Sequence, residues 1–336
     1  MPSLPGFITR YFSKDERKYS LSYLIGVSDL AAVAKPPPIS TKTAISLLVV
    51  YTLIYVVPFY LSRTTRPSPT LSRDAPSVIR ARIASVSLTC AVCSTITFVI
   101  LTSQGRATTA EALHTMGYWP VGLVETGKCF LLTAVLFAGP LYEYLIVDQG
   151  WRDWLALRPL SELFGEWTKW RNIVAGPFTE EVLFRSAAVP LMLAAQTPVT
   201  TTIFLSPLVF GLAHLHHYYE FRLSHPYMAT SFLLMRSVMQ LGYTTLFGAY
   251  ATFLFLRSGS LLAVFAVHAF CNCMGLPRVW GRVLPAVMVD ERGQSSKPSV
   301  MWTMAYYVLL VTGAVGWYKN IGSLTESSNA LVGMKI

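Results

Sequence analysis

The sequence predicts an all-α fold, a polytopic transmembrane bundle of about eight helices, and three observations carry that expectation. Hydrophobic residues make up 53% of the 336 and charged residues only 13%, about half the charged share of a soluble domain. Apolar stretches near the length of roughly 20 residues that crosses a bilayer recur at 44–62, 83–102, 129–147, 173–195, 199–214, 233–256, 261–275 and 298–317. The basic residues behind the net charge of +10 lie mainly between these stretches. Membrane topology accounts for such placement, so the partner expected from composition is the lipid bilayer and not nucleic acid.

Taken in order, residues 1–42 are polar and end in Lys35-Pro36-Pro37-Pro38, a surface-lying segment. They lack the apolar core and small-residue cleavage site of a signal peptide, so the first span serves as an uncleaved targeting signal. An integral membrane domain follows over 43–320, its core at about 170–280, with a tail over 321–336. The fifth and seventh spans are short and polar at one end. No internal repeat and no second domain are visible.

Orientation follows from Lys and Arg outside the spans. If the connection 63–82 faces the cytosol, so do 148–172, 215–232 and 276–297, and this side holds 14 basic residues against five in the opposite loops and tail. The N-terminal segment runs against the count, with six basic residues on the other side. All five cysteines fall in the spans, so Cys90-x-x-Cys93 reads as two buried thiols and no structural disulfide is expected.

Three polar clusters interrupt the apolar stretches. In "GPFTEEVLFR" (176–185) Glu181 and Arg185 are four apart, acid before base, the favourable order for a same-face pair on a helix. Glu180 points about 100° away, since a helix turns that much per residue, and Gly176-Pro177 marks a helix start or kink. In "FGLAHLHH" (210–217) Phe210 and His214 share a face at the exit of the fifth span. In "HAFCN" (268–272) His268 and Asn272 share one near the end of the seventh. An ionisable group at the membrane centre costs at least about 2.5 kcal/mol and marks function by default. The loop charges put Glu180, His214, His268 and Asn272, from three spans, toward one membrane face.

A carboxylate and an imidazole sharing a water can raise its nucleophilicity, while a second His and an Asn can hydrogen-bond the oxyanion formed at a carbonyl. Such a set suits peptide hydrolysis without a covalent intermediate. There is no His-Glu-x-x-His motif, no aspartate pair within spans and no Gly-x-Ser-x-Gly elbow. Three alternatives stay open: zinc held by Glu180, His214 and His268, a thiol nucleophile at Cys271, and a non-catalytic scaffold or transporter, which the missing inverted repeats disfavour.

The motifs "TEEVLFR", "FGLAH" and "HAFCN", in this order, resemble the Glu-Glu-x-x-x-Arg, Phe-x-x-x-His and His-x-x-x-Asn motifs of the eukaryotic type II CAAX prenyl endopeptidases, the Ras-converting enzymes. The likeness is specific over about 170–280. It implies a membrane-embedded glutamate protease with a conical polar cavity open to the cytosol, in the endoplasmic reticulum membrane. The substrates implied are prenylated CaaX proteins such as Ras-type small GTPases and fungal-pheromone-type precursors, which lose their last three residues. By the same resemblance Glu180 is the general base assisted by His214, His268 and Asn272 stabilise the oxyanion, and Glu181, Arg185 and Phe210 shape the site. No cofactor and no metal are implied.

Other polar residues have plainer readings. His216, His217 and Glu220 follow the fifth span in an aqueous loop, solvated or capping, with His217 and Glu220 also open to a substrate-binding role. Arg236 reaches for the interface or binds the substrate carboxylate. Glu143 pairs locally.

Overall fold

A computed structural model describes residues 36–68, 71–285 and 299–334, and the secondary structure there is helical, with one isolated bridge between Ser68 and Leu71 and no strand among the described residues. Residues 1–35 of the expected N-terminal segment 1–42, and with them most of its charge, lie outside the described residues, as do Arg292, Lys297 and Lys335. Helix α1 (Thr41–Leu61) starts where the Ser40 hydroxyl accepts from Thr43 N–H, the side-chain cap that satisfies an orphan donor. Helix α2 (Pro76–Gln104) has proline at its first position, where the missing N–H costs nothing. The short α3 (Thr109–Thr115) opens on a capping box of Thr108 and Glu111.

Helices α4 (Leu123–Leu136) and α5 (Ala138–Val147) meet at Phe137 with a bend of 81°. Pro140 explains it, because proline removes a helical hydrogen bond and clashes with the turn before it. Two short helices follow, α6 (Gly150–Leu155) and α7 (Arg158–Gly165). Helix α8 (167–194) then runs through the centre of the bundle. Every residue from 182 to 195 is buried, and α1, α2, α9 (Val199–Ala213), α11 (Thr230–Ser258) and α12 (Leu261–Met274) pack around it. Helix α10 (His216–Ser224) packs on α11, and α13 (Val300–Leu324) on α4 and α5.

Among the described residues four helices are long and apolar enough to cross a membrane: α1, α2, the continuous Val199–Ser224 and α13. The bent α4–α5 pair makes a fifth. The chain is thus a multi-pass membrane protein, although eight spans of one kind do not appear. The other three expected spans are helices of a different character. Helix α8 carries five charged residues, α11 reaches about 43 Å at 1.5 Å per residue but includes Arg236 and Gln240, and α12 is 14 residues long, short of the roughly 20 a span needs. A helix enclosed by other helices is released from the requirement to match lipid on every face.

Beyond α13, which runs four residues past the expected boundary, the chain turns back into the bundle. Leu331 and Val332 are buried, and Leu331 N–H donates to the Leu256 carbonyl at 2.8 Å. Arg257, assigned from sequence to a loop, is buried and clamps this segment, donating to Thr325, Gly322 and Met334 at 2.9–3.1 Å.

Candidate active site

The central helix is not a regular one. It is π-helical at Arg171–Ala175 and again at Val182–Ala187, wide turns that often accompany functional sites. The first explains Gly176: a Cβ there would meet the Arg171 carbonyl oxygen, five residues back, at 2.8 Å. Pro177, which lacks a donor, sits directly after this wide turn. Of the expected helix start or kink at Gly176-Pro177, the start is corrected: the helix passes through, widened rather than begun.

Downstream of the wide turn the two carboxylates separate as their positions require. The Glu181 side chain is fully buried, whereas that of Glu180 keeps 22% of its exposure. Arg185 Nη1 donates to Glu181 Oε1 at 3.0 Å, the expected pair one turn apart. The guanidinium also donates to the Gly248 carbonyl at 3.2 Å and lies 4.6 Å from the centre of the Phe210 ring. Position 248 must be glycine for this approach, since a Cβ would lie 2.8 Å from Pro207 and 3.3 Å from Arg185 itself.

Glu181 holds more than the arginine. His268 Nδ1–H, on α12, donates to the same Oε1 at 2.6 Å. That bond aims the other ring nitrogen outward, and His268 Nε2 lies 3.8 Å from Glu180 Oε2. The imidazole is wedged between Phe247, 4.5 Å centre to centre, and Phe210 at 6.5 Å. Phe210 also packs edge-on against His214 at 4.8 Å and Phe184 at 4.9 Å. One aromatic ring thus touches the arginine and both histidines.

His214 ends α9. Its Nδ1 lies 2.9 Å from the Phe210 carbonyl oxygen, which can only accept, so Nδ1 carries the proton and Nε2 of the neutral ring is left as an acceptor. Asn272, one turn beyond His268, donates an amide hydrogen to the Asn172 carbonyl at 2.8 Å and keeps a second for another partner. Glu180, His214, His268 and Asn272 all line one cavity of about 790 Å³. Glu181 and Arg185 stand behind it.

At the other end of the cavity the residues after α9 depart from the expected aqueous loop. Glu220 is 3% exposed, paired with Arg73 at 2.9 Å and Arg82 at 2.7 Å, and His217 Nδ1 lies 3.0 Å from it. Helix α10 continues α9, and Arg73, just before α2, and Arg82, within it, meet the carboxylate there. The His216 ring lies tilted against His217 at 4.0 Å and against Phe59 of α1 at 6.0 Å, centre to centre. Arg236 is exposed and lies over the Phe221 ring at 4.3 Å, away from the cavity lining. Glu143 pairs with Arg278 at 2.7 Å, 135 residues distant and not local.

Among the described residues, the group whose ligand atoms converge closely enough for a metal ion is His216, His217 and Glu220, within 4.8 Å of one another. It is not the Glu180, His214 and His268 set considered for zinc, and its carboxylate already faces two guanidinium groups. Cys271 lines the cavity, but among the described residues no hydrogen bond ties its thiol to an imidazole.

Sequence reading missed Arg73, Arg82, Arg171 and Asn172, all in or against the cavity. The three arginines had entered only a count of loop charges, and no local spacing links Arg73 or Arg82 to Glu220, or Arg171 to Asp74.

A model of the family described as type II CAAX prenyl endopeptidase Rce1-like matches residues 163–274. The chain is 39% identical over 281 residues to the probable CAAX prenyl protease 2 of Schizosaccharomyces pombe, covering 83% of this chain and 92% of that protein. It is 33% identical over 264 residues to CAAX prenyl protease 2 of Arabidopsis thaliana, covering 71% and 81%. The Homo sapiens protein of the same name is 33% identical over 215 residues, covering 62% and 65%. No solved structure matches it.

Proposed function

Because the chain belongs to the type II CAAX prenyl endopeptidases, and is a membrane-embedded CAAX prenyl endopeptidase, we propose that it releases the C-terminal tripeptide of prenylated CaaX proteins by attack of a water that Glu180 activates. The observation carrying this reading is the meeting of Glu180 and His268 Nε2, 3.8 Å apart, in a cavity that His214 and Asn272 also line. Water between Glu180 and His214 loses its proton to the carboxylate as it attacks the scissile carbonyl, and the His214 Nε2 lone pair orients it. The negative charge that develops on the carbonyl oxygen is met by donors fixed in advance. Asn272 offers its second amide hydrogen, held in place by Asn172. His268 donates from Nε2 as an imidazolium, with Glu181 as its counter-ion at Nδ1. Glu180 then returns its proton to the leaving amine, and no covalent intermediate is formed.

Glu181 and Arg185 position rather than react. Buried and paired, they fix the ring orientation of His268, and Phe210 fills the space between the arginine and the two imidazoles. A prenyl chain is apolar and partitions into lipid, whereas a charged C-terminus stays in water, so a cavity lined by both aromatic and charged side chains suits both ends of the substrate. The location belonging to this reading is the endoplasmic reticulum membrane with the site facing the cytosol, supported by the excess of basic residues in alternate connections. Ras-type GTPases and pheromone-type precursors are substrates of the expected class.

The test uses purified protein in detergent or lipid with matched peptides. A farnesylated CaaX peptide is cleaved and the unprenylated one spared; Glu180→Ala loses turnover, and metal chelation leaves it intact. Full activity in Glu180→Ala would overturn the assignment of the base. Protection of a tag placed in the 148–172 connection from protease added to sealed microsomes would overturn the orientation.

A further inference from the structure

Bond cleavage leaves one end of the cavity without a task. Arg73, Arg82 and Arg171 line that end. Arg82 is fully engaged, paired with Glu220, donating twice to the Thr65 carbonyl at 3.0 and 2.8 Å and lying over Phe59. Arg73 and Arg171 are not. Arg73 directs Nη1 to Glu220 and His217, with Nε 3.8 Å from Asp74. Arg171 directs Nη1 to Asp74 at 2.7 Å and to the Arg73 carbonyl at 3.4 Å, and Nε to Asn172 Oδ1 at 2.9 Å. Among the described residues no contact engages Nη2 of either. These contacts tie the two side chains together while leaving them 36% and 20% exposed. Among the described residues three guanidinium groups face two carboxylates, Asp74 and Glu220, so the cluster carries one more positive charge than negative.

Its distance from the acid has a chemical meaning. Arg171 and Glu180 stand nine residues apart on the same helix, about 13 Å at 1.5 Å per residue. Three extended residues span about 10–11 Å, and a guanidinium at the end of its side chain covers the remainder. Arginine suits a carboxylate because its planar donors match both oxygens.

On the reading that this cavity cleaves CaaX tripeptides, we infer that Arg73 and Arg171 bind the free C-terminal α-carboxylate of the substrate and thereby fix the released fragment at three residues. The cation is then a ruler: the carboxylate docks on the two guanidinium groups and the bond three residues upstream falls opposite Glu180. Arg236, exposed on the far side of α10, has no part in it.

The experiment compares two farnesylated CaaX peptides, one ending in a free carboxylate and one in a carboxamide. The wild-type protein favours the acid through KM. Arg171→Gln raises KM for the acid about 10- to 100-fold, the range of a lost charge-assisted hydrogen bond, down to the efficiency of the amide. Arg171→Lys recovers part of the preference. Arg73→Gln acts in the same direction, and because Arg73 also pairs with buried Glu220, Arg171→Gln is the deciding variant. Equal cleavage of both peptides by wild-type protein would overturn the anchor and leave the endopeptidase reading standing, as would an equal loss on both peptides in Arg171→Gln. Cleavage of neither by wild-type protein would bring down both.

Discussion

Two buried carboxylates in this molecule are each held by arginine and histidine, yet they are built in different ways. Glu181 takes its arginine from the next turn of its own helix and its histidine from α12. Glu220 takes its histidine from its own helix, three residues back, and both arginines from the connection and helix about 140 residues earlier. The first cluster has an open neighbour, Glu180, which faces the cavity. The second has an open cation, Arg73, and among the described residues no open carboxylate facing the cavity beside it. The lesson is that a buried carboxylate with basic partners says little about catalysis by itself. The carboxylate beside it, half open to a cavity, is what distinguishes a site from a clamp.

The largest effect that this contrast predicts is on turnover. Glu180→Gln keeps the shape of the side chain and removes the base, so kcat should fall about 10²- to 10⁴-fold while the thermal midpoint in detergent stays close to that of the wild type. A large stability loss instead would make Glu180 a structural residue like Glu220. Next comes Arg185→Met, which leaves Glu181 buried with only His268 opposite. Breaking such a pair should cost about 3–5 kcal/mol, read as a fall in unfolding midpoint, with activity lost as a consequence.

Glu220→Gln should cost about 2–3 kcal/mol, the worth of hydrogen bonds to charged groups, and leave a folded enzyme that still cleaves at high substrate. If it abolished turnover without destabilising the protein, the two clusters would not differ in kind. Tyr55→Phe removes a single buried bond to Thr179, 3.1 Å long and one residue before Glu180. About 1 kcal/mol is expected, together with a modest fall in kcat if that bond steadies the acid. Arg236→Ala should change kcat/KM by no more than the equivalent of about 0.5 kcal/mol, the usual range for exposed sites. A larger loss would restore Arg236 to the substrate path.

The contrast also explains what could be read beforehand. Glu181 with Arg185, Phe210 with His214 and His268 with Asn272 are all spaced four apart, the separation that puts two side chains on one helical face. The membrane character followed from composition, yet hydropathy overstated the number of uniform spans. It detects helices that must satisfy lipid, and α8, α11 and α12 are partly sheltered by protein. The aqueous loop expected at 215–232 failed for a related reason: Glu220 and His217 look solvated by type, and only the arrival of Arg73 and Arg82 makes their burial tolerable. Likewise Arg257 reads as a loop charge until the final residues fold back over it.

By itself, then, the amino-acid sequence determined the all-α membrane class, the three motif pairs and the family, because periodicity, hydropathy and short spacings act within one helix. Tertiary structure alone decided that His268 stands between Glu181 and Glu180, that Asn172 holds Asn272, and that Arg73 and Arg171 meet in the lining of the same cavity. Those outcomes depend on helix crossings and on wide turns at Arg171–Ala175 and Val182–Ala187. Contacts between residues tens of positions apart leave no mark on local spacing, since the free energy that selects them appears only once the helices are packed together.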